Sequence, residues 1–358
     1  MALKMLVKLL LKILIMIVIN MIHPFSLHSD QGTLSMADQK MIRILNLQEE
    51  LFSKESIPLS KNELTRKAQD LVTKYESYLS ENPNDIPALL LFGKFLRKVD
   101  QHDHALGIFL QADSVNPKLA VVKQQIANYL VEKDRPLDAL PFFIAATKIE
   151  PLLPDYHYHL GNFLFIFKDQ LQEHGLLKDK SVADFSHECF EKAYQKKPSS
   201  FEYRLRYAQS FFDCADSNKT KALDVWESIA LDFNNLSKSE IDYLNLCIAR
   251  LHIELGNKSL AKTHLDKVST KSLSNAKRKL TSSMEKDFEI KPIKLKKEKK
   301  TGLIHRLNTD PRLKDLQRIT SQLREENLIN ELKIDQIRAY HDQEGDVKLS
   351  VVGNIQSD

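Results

Sequence analysis

The stretch LLLFGKFLRKVDQHDHALGIFLQADSVNP at residues 89–117 is answered 34 residues later by KQQIANYLVEKDRPLDALPFFIAATKIEP at residues 123–151. Gly93, Ala105, Phe109, Ala112 and Pro117 return as Ala127, Ala139, Phe143, Ala146 and Pro151, and the apolar Phe92 and Leu96 return as Ile126 and Leu130. One anchor is lost: Leu89 becomes Lys123. This spacing describes a helical hairpin. A small residue in the first helix lets the second approach closely, and another small residue opens the second helix. A large apolar residue four positions on lies one turn further along the same face and fills the space between hairpins. Proline then stops the second helix, because it lacks an amide hydrogen and clashes with the preceding turn.

Working outward, a third copy has Leu160, Gly161 and Leu164, then Ser186, Phe190, Ala193 and Pro198, with 13 extra residues between its two helices. A fourth runs through Tyr207, Ala208 and Phe211 to Ala222, Trp226 and Ile229, two residues longer and without the proline. A fifth, Ile248, Ala249, Gly256, Ala261, Leu265 and Val268, regains the original spacing. Upstream, Leu71, Tyr75, Tyr78 and Pro83 keep the second-helix pattern, and Ser60-Lys61-Asn62-Glu63 reads as a capping box. Residues 37–53, with Ile42, Leu45 and Leu51, supply a degenerate first helix.

These residues resemble the tetratricopeptide repeat (TPR) family, whose 34-residue motif carries the same small, aromatic and proline positions. The resemblance covers residues 86–274, behind a degenerate capping pair at 37–85. It implies an all-α chain whose hairpins stack into a right-handed superhelical solenoid, since one hairpin cannot bury its apolar face alone. It further implies a binding module whose groove is lined one position after each small residue, here by Lys94, Asn128, Asn162, Gln209 and Arg250. Asparagine carboxamides at such places suit the backbone of an extended peptide, while Lys94, Arg97, Lys98 and Arg250 suit carboxylates. The clamp set of the family's chaperone-tail subclass is not matched in full.

Composition narrows the function. Nine glycines in 358 residues are too few for hairpin-rich sheets or phosphate-cradling loops, and neither a P-loop nor a dinucleotide fingerprint is present. Cys189, Cys214 and Cys247 form no metal-binding pair and read as buried small residues. His102 with His104, and His157 with His159, stand two apart, where neighbours on a helix diverge and chelate poorly. No nucleophile elbow or paired carboxylate recommends a catalytic centre, so no enzyme activity, metal, cofactor or small-molecule substrate is expected. Phe163, Phe165, Ile166 and Phe167 in the long third copy read either as a ledge for a ligand or as core.

Charge is uneven. The net charge is +4, yet residues 1–29 carry +3 and residues 276–300 carry ten Lys or Arg against four acids, leaving −5 for the rest. Lys4, Lys8 and Lys12 precede an apolar run, Ile13 to Ser29, with no charged residue. That is the pattern of a signal peptide or short membrane anchor, with the bulk of the chain on the non-cytoplasmic side. A start at Met36 would instead leave it cytoplasmic. Beyond the repeats, residues 275–311 read as a basic linker, solvated or drawn to lipid head groups, with nucleic acid not expected. Residues 312–341 read as an amphipathic helix that either packs back or recruits a partner, and residues 342–358 as a flexible tail or, from Asp346 to Asn354, a short strand. Two roles remain open: a protein-protein adaptor that holds a peptide or protein in its groove, and an envelope assembly or tethering factor that recruits partners through the basic arm and terminal helix.

Overall fold

In the computed structural model the described residues are 35–52, 60–174, 182–214, 217–233, 235–285, 315–328 and 337–351. Residues 1–29, most of the basic linker and the insertion loop from 175 to 181, for which the sequence gives the expectations above, lie outside them. The described chain is helical, apart from one two-stranded antiparallel sheet. It forms two compact units. The first comprises residues up to Ile149 together with those from Asp310 onward, and the second runs from Glu150 to Thr309.

The first unit holds α1 (Met36–Phe52), α2 (Lys61–Glu81), α3 (Ile86–Lys98), α4 (His102–Val115), α5 (Ala120–Glu132) and α6 (Pro136–Ile149), each packed on the next. The Ser60 capping box opens α2 as read from the sequence: the Ser60 hydroxyl accepts from the Glu63 amide, and the Glu63 carboxylate accepts from the Ser60 amide. In α1 the buried residues are Ile44 and Leu51, whereas Ile42 and Leu45, taken as apolar anchors above, are exposed. Helical period explains this. Ile44, Gln48 and Leu51 share the inward face, and Gln48 accepts a 2.7 Å hydrogen bond from the buried Tyr75 hydroxyl.

The anchors act as their spacing requires. A Cβ on Gly93 would stand 2.7 Å from Phe109 Cε1, and one on Gly161 would stand 2.7 Å from Phe190 Cε1. In two hairpins, then, the small residue is the seat of its own aromatic partner. The helices ahead of Pro83, Pro117, Pro151 and Pro198 end at Glu81, Val115, Ile149 and Lys196, each two residues before the proline. The residue preceding proline is excluded from the helical region by the ring's Cδ, which fixes this offset.

The turn inside the hairpin is also repeated. Asp100 (φ 64°), Asp134 (φ 57°) and Gly256 (φ 82°) all stand seven residues after the small residue of their copy and adopt the left-handed conformation. Each is followed by an amide that reaches back five residues: Gln101 N to Leu96 O at 2.8 Å, Arg135 N to Leu130 O at 2.8 Å and Asn257 N to His252 O at 2.8 Å. This Schellman closure satisfies carbonyls left open at the helix end.

The second unit holds α7 (Pro154–Ile166), α8 (Lys168–Glu173), α9 (Val182–Lys196), α10 (Phe201–Ser210), α11 (Lys219–Asp232), α12 (Lys238–Glu254), α13 (Lys258–Lys267), a 3-10 turn (Lys271–Leu273) and α14 (Ser274–Glu285). Part of the insertion is the short α8, which takes the place of the left-handed turn and buries Leu171. Phe163 is core, and Phe165 and Phe190 are both covered by the Arg206 guanidinium, at 4.3 and 4.1 Å, so the aromatic cluster is largely closed by its own unit. The three cysteines are free and buried.

The carboxyl-terminal region departs from expectation. Among the described residues a helix, α15, spans Leu316–Leu328, and Ile337–His341 is strand β1, paired antiparallel with β2 (Val347–Val351). Residues 337–341 are thus not helix, and 347–351 take the short-strand reading of this segment, not the tail. The reason is a turn: Asp342 Oδ1 accepts from the Glu344 and Asp346 amides, both at 2.9 Å, and Gly345 sits at φ 81°. Around that turn Ile337, Ala339, Val347 and Leu349 alternate inward, a period of two that no helix can satisfy.

Candidate functional site

The candidate binding residues fall in both units. Lys94, Arg97 and Lys98 on α3 and Asn128 on α5 belong to the first; Asn162 on α7, Gln209 on α10 and Arg250 on α12 belong to the second. Several are already engaged internally. Arg97 Nη2 meets Glu132 Oε1 at 2.6 Å, with the two side chains 10% and 17% exposed, which joins α3 to α5. Lys98 Nζ lies 3.5 Å above the Phe52 ring. Gln209 Nε2 donates to the Tyr243 hydroxyl at 3.3 Å, and Arg250 is paired with Glu254 while stacked 4.2 Å over Phe212. Of the four cations suited to carboxylates, three are therefore committed to holding helices or rings.

Lys94 is different. It is half-buried, has no acidic partner among the described residues, and burial holds its ammonium below the usual lysine range. It stands one turn before Arg97, and the buried Asn128 stands one turn before Glu132, so the two share the helix faces on which that ion pair closes. One turn before Asn128, Gln124 and Gln125 are also buried, and the Gln125 carbonyl oxygen has no hydrogen-bond donor among the described residues. Of these buried carboxamides, Gln125 Oε1 is the one left without a donor among the described residues, which is costly unless something meets it.

Lys123, the lost anchor, is not a defect. Its Nζ makes a 2.5 Å ion pair with Asp113 Oδ1 of α4, with the side chains 9% and 5% exposed. A lysine could enter this apolar seam because the preceding helix supplies the carboxylate.

What covers the first unit could not be read from the repeats. Helix α15 packs on α4 and α6, and β1 packs on α2. These are the second helices of their pairs, whereas Lys94 and Asn128 lie on first helices. Ile319, Thr320 and Leu323 are buried under α15, and Asn327 fills the space beside Gly107, where a Cβ would stand 2.6 Å from Nδ2. Arg135 of the α5–α6 turn meets Glu326 at 2.9 Å, and Arg324 approaches Asp113 at 3.8 Å.

Both edges of the hairpin are closed. On one, the Ile337 amide donates to Gln69 Oε1 at 3.0 Å and the Ala339 amide to Thr65 Oγ1 at 2.9 Å. Residues four apart on a helix rise about 6 Å and residues two apart on a strand about 6.6 Å, so α2 offers acceptors in the strand's register. On the other edge the Leu349 amide donates to Val99 O at 3.0 Å and Leu349 O accepts from Gln101 Nε2 at 2.7 Å. The signal for this element was present in Asp342-Gln343-Glu344-Gly345-Asp346 between two alternating runs.

No family model matches the sequence. No curated protein matches it either. Among solved structures the chain is similar to YrrB, a TPR protein with an unusual peptide-binding site, at 15% identity over 58% of this chain and 97% of that one, with a TM-score of 0.47. It is similar also to PilW, a type IV pilus biogenesis factor, at 14% identity over 68% and 99% with a TM-score of 0.43, and to Pseudomonas aeruginosa PilF at 14% over 69% and 96% with a TM-score of 0.44. At such scores the likeness adds nothing to the packing described above, on which the assignment of TPR-type helical hairpins rests.

Proposed function

We propose that this chain is a non-catalytic adaptor that holds a peptide or protein partner against the first helices of its hairpins. The observation that carries this reading is Lys94, a half-buried cation without an acidic partner among the described residues, one turn before the Arg97 that ties α3 to α5 through Glu132. Among the described residues the carboxyl-terminal helix and hairpin pack on the second helices α2, α4 and α6. A carboxylate on the partner meets Lys94, and Asn128 serves its backbone. In the second unit, taken by itself, Asn162 offers the corresponding carboxamide, while Gln209 and Arg250 are held by Tyr243 and by Glu254 with Phe212. The test is affinity capture with Lys94→Glu and with Asn128→Ala plus Asn162→Ala: loss of a partner retained by wild type supports the groove, and unchanged recovery of every partner removes it.

The alternative, recruitment through the basic arm and terminal helix, is weakened because Ile319 and Leu323, the apolar stripe that would face a partner, are buried within the first unit. Residues 1–29 are proposed to place the protein at a membrane with its bulk on the non-cytoplasmic side. Among the described residues no helix is long and apolar enough to cross one. Fractionation with amino-terminal sequencing of the mature protein decides that point.

A further inference from the structure

The second unit ends in a layer made by α13, the 3-10 turn and α14. Residues 256–285 hold six lysines and one arginine against two acids, Asp266 and Glu285, a net of +5. Leu273 and Leu280 turn inward onto Leu246, Ala249, Leu265 and Val268. Lys277 Nζ ties the layer down through a 2.9 Å hydrogen bond to Val268 O. With the apolar side spent on packing, the charged side is left outside: Lys262, Lys267, Lys271 and Lys279 are exposed, and none has an acidic partner among the described residues. Elsewhere the fold pairs its cations readily, as at Lys40 with Glu81, Lys133 with Asp103 and Lys221 with Glu191.

We propose that this terminal layer is a docking surface for an anionic lipid bilayer. The reading is independent of the groove. Lysine is a strongly hydrated point charge that needs no fixed geometry, which suits a field of mobile head groups; arginine, whose fork recognises phosphate bidentately, occurs once. Residues 256–285 contain no Phe, Tyr or Trp, so the stacking platforms of single-strand nucleic-acid binding are missing. Leu260, half exposed on α13 among these lysines, adds an apolar contact at the interface.

The test uses the full chain carrying a fluorophore on Ala276→Cys, an exposed position of α14; the three natural cysteines are buried. Phosphatidylcholine vesicles bearing a quencher lipid are compared with and without phosphatidylserine, and the Gln variant below carries the same residues 1–29 as the wild type. Phosphatidylserine should raise the quenched fraction about tenfold, and about 1 M salt should remove the gain as the Debye length falls to about 3 Å. Replacing Lys262, Lys267, Lys271 and Lys279 together by Gln should abolish the gain, and replacing them by Arg should keep it. Quenching that ignores phosphatidylserine, a Gln variant that keeps the preference, or a wild type that binds a short single-stranded DNA in place of the vesicles would each overturn the proposal.

Discussion

The two units use one hairpin pattern and hold it together in different ways. In the first, copies are regular, with turns of one length closed by left-handed Asp100 and Asp134, and the second helices are buttressed by residues from the far end of the sequence. In the second, an extra helix and a lengthened turn break the regularity, and local groups hold the copies instead. Tyr158, Phe190, Tyr207, Phe211 and Trp226 form an aromatic core. Asp242, fully buried, accepts from Lys238 Nζ at 2.6 Å and from the Ser269 and Thr270 amides at 2.9 and 2.8 Å, which fastens the end of α13 to α12. Regular stacking leaves a continuous outer face for a distant segment to cover; irregular stacking must be secured copy by copy.

The strongest way to break this contrast is to delete residues 315–351. Six buried apolar side chains leave with them, Ile319, Leu323, Ile337, Ala339, Val347 and Leu349, the larger of which contribute about 2 kcal/mol each. Hydrogen exchange should rise through α2 and α4 and stay unchanged in α9 to α12; equal loosening of both units would show that the arm does not serve the first alone. Next, Phe190→Ala empties the seat against Gly161 and should cost the second unit about 3–5 kcal/mol in urea unfolding. The first unit should keep its midpoint.

Acid sharpens the comparison. His157, His159, His252 and His264 all lie in the second unit, and burial is the chief cause holding each below the ordinary histidine range, His159 at about 4. A lowered histidine pKa means the folded state prefers the neutral ring. Stability is full above the unfolded pKa near 6.5 and is lost as pH falls toward 4, for His159 by about 3 kcal/mol. Only the second unit should weaken in that window, followed on its thermal transition by pH, and His159→Leu should remove the largest part. Below about pH 4 the Asp242 carboxyl, held well under the usual range by its Lys238 bond, adds a further loss.

The smallest effect is a gain. Asp134→Gly relieves a left-handed non-glycine at a position where the fifth copy already uses Gly256 and should stabilise the first unit by about 1 kcal/mol, measured as a higher melting temperature. A loss would mean that the Asp134 side chain does more for the turn than its backbone conformation costs.

Lys94 and Asn128 stand one position after Gly93 and Ala127, the placement that the resemblance to tetratricopeptide repeats implies for groove residues. That Arg97 and Lys98 are spent within the protein was not legible, since Glu132 and Phe52 reach them from other helices. Lys123 stood out only as a missing leucine until Asp113 was seen beside it.

Sequence alone determined the hairpins: spacing along one chain sets where small, large and proline residues fall on a helix, and that is local geometry. Tertiary structure alone decided which helices of those hairpins the carboxyl-terminal segment packs on. The closing of the hairpin edges depends on Thr65, Gln69 and Val99 meeting strands some 250–275 residues away in the chain, and backbone hydrogen bonding between distant segments leaves no period in the sequence to read.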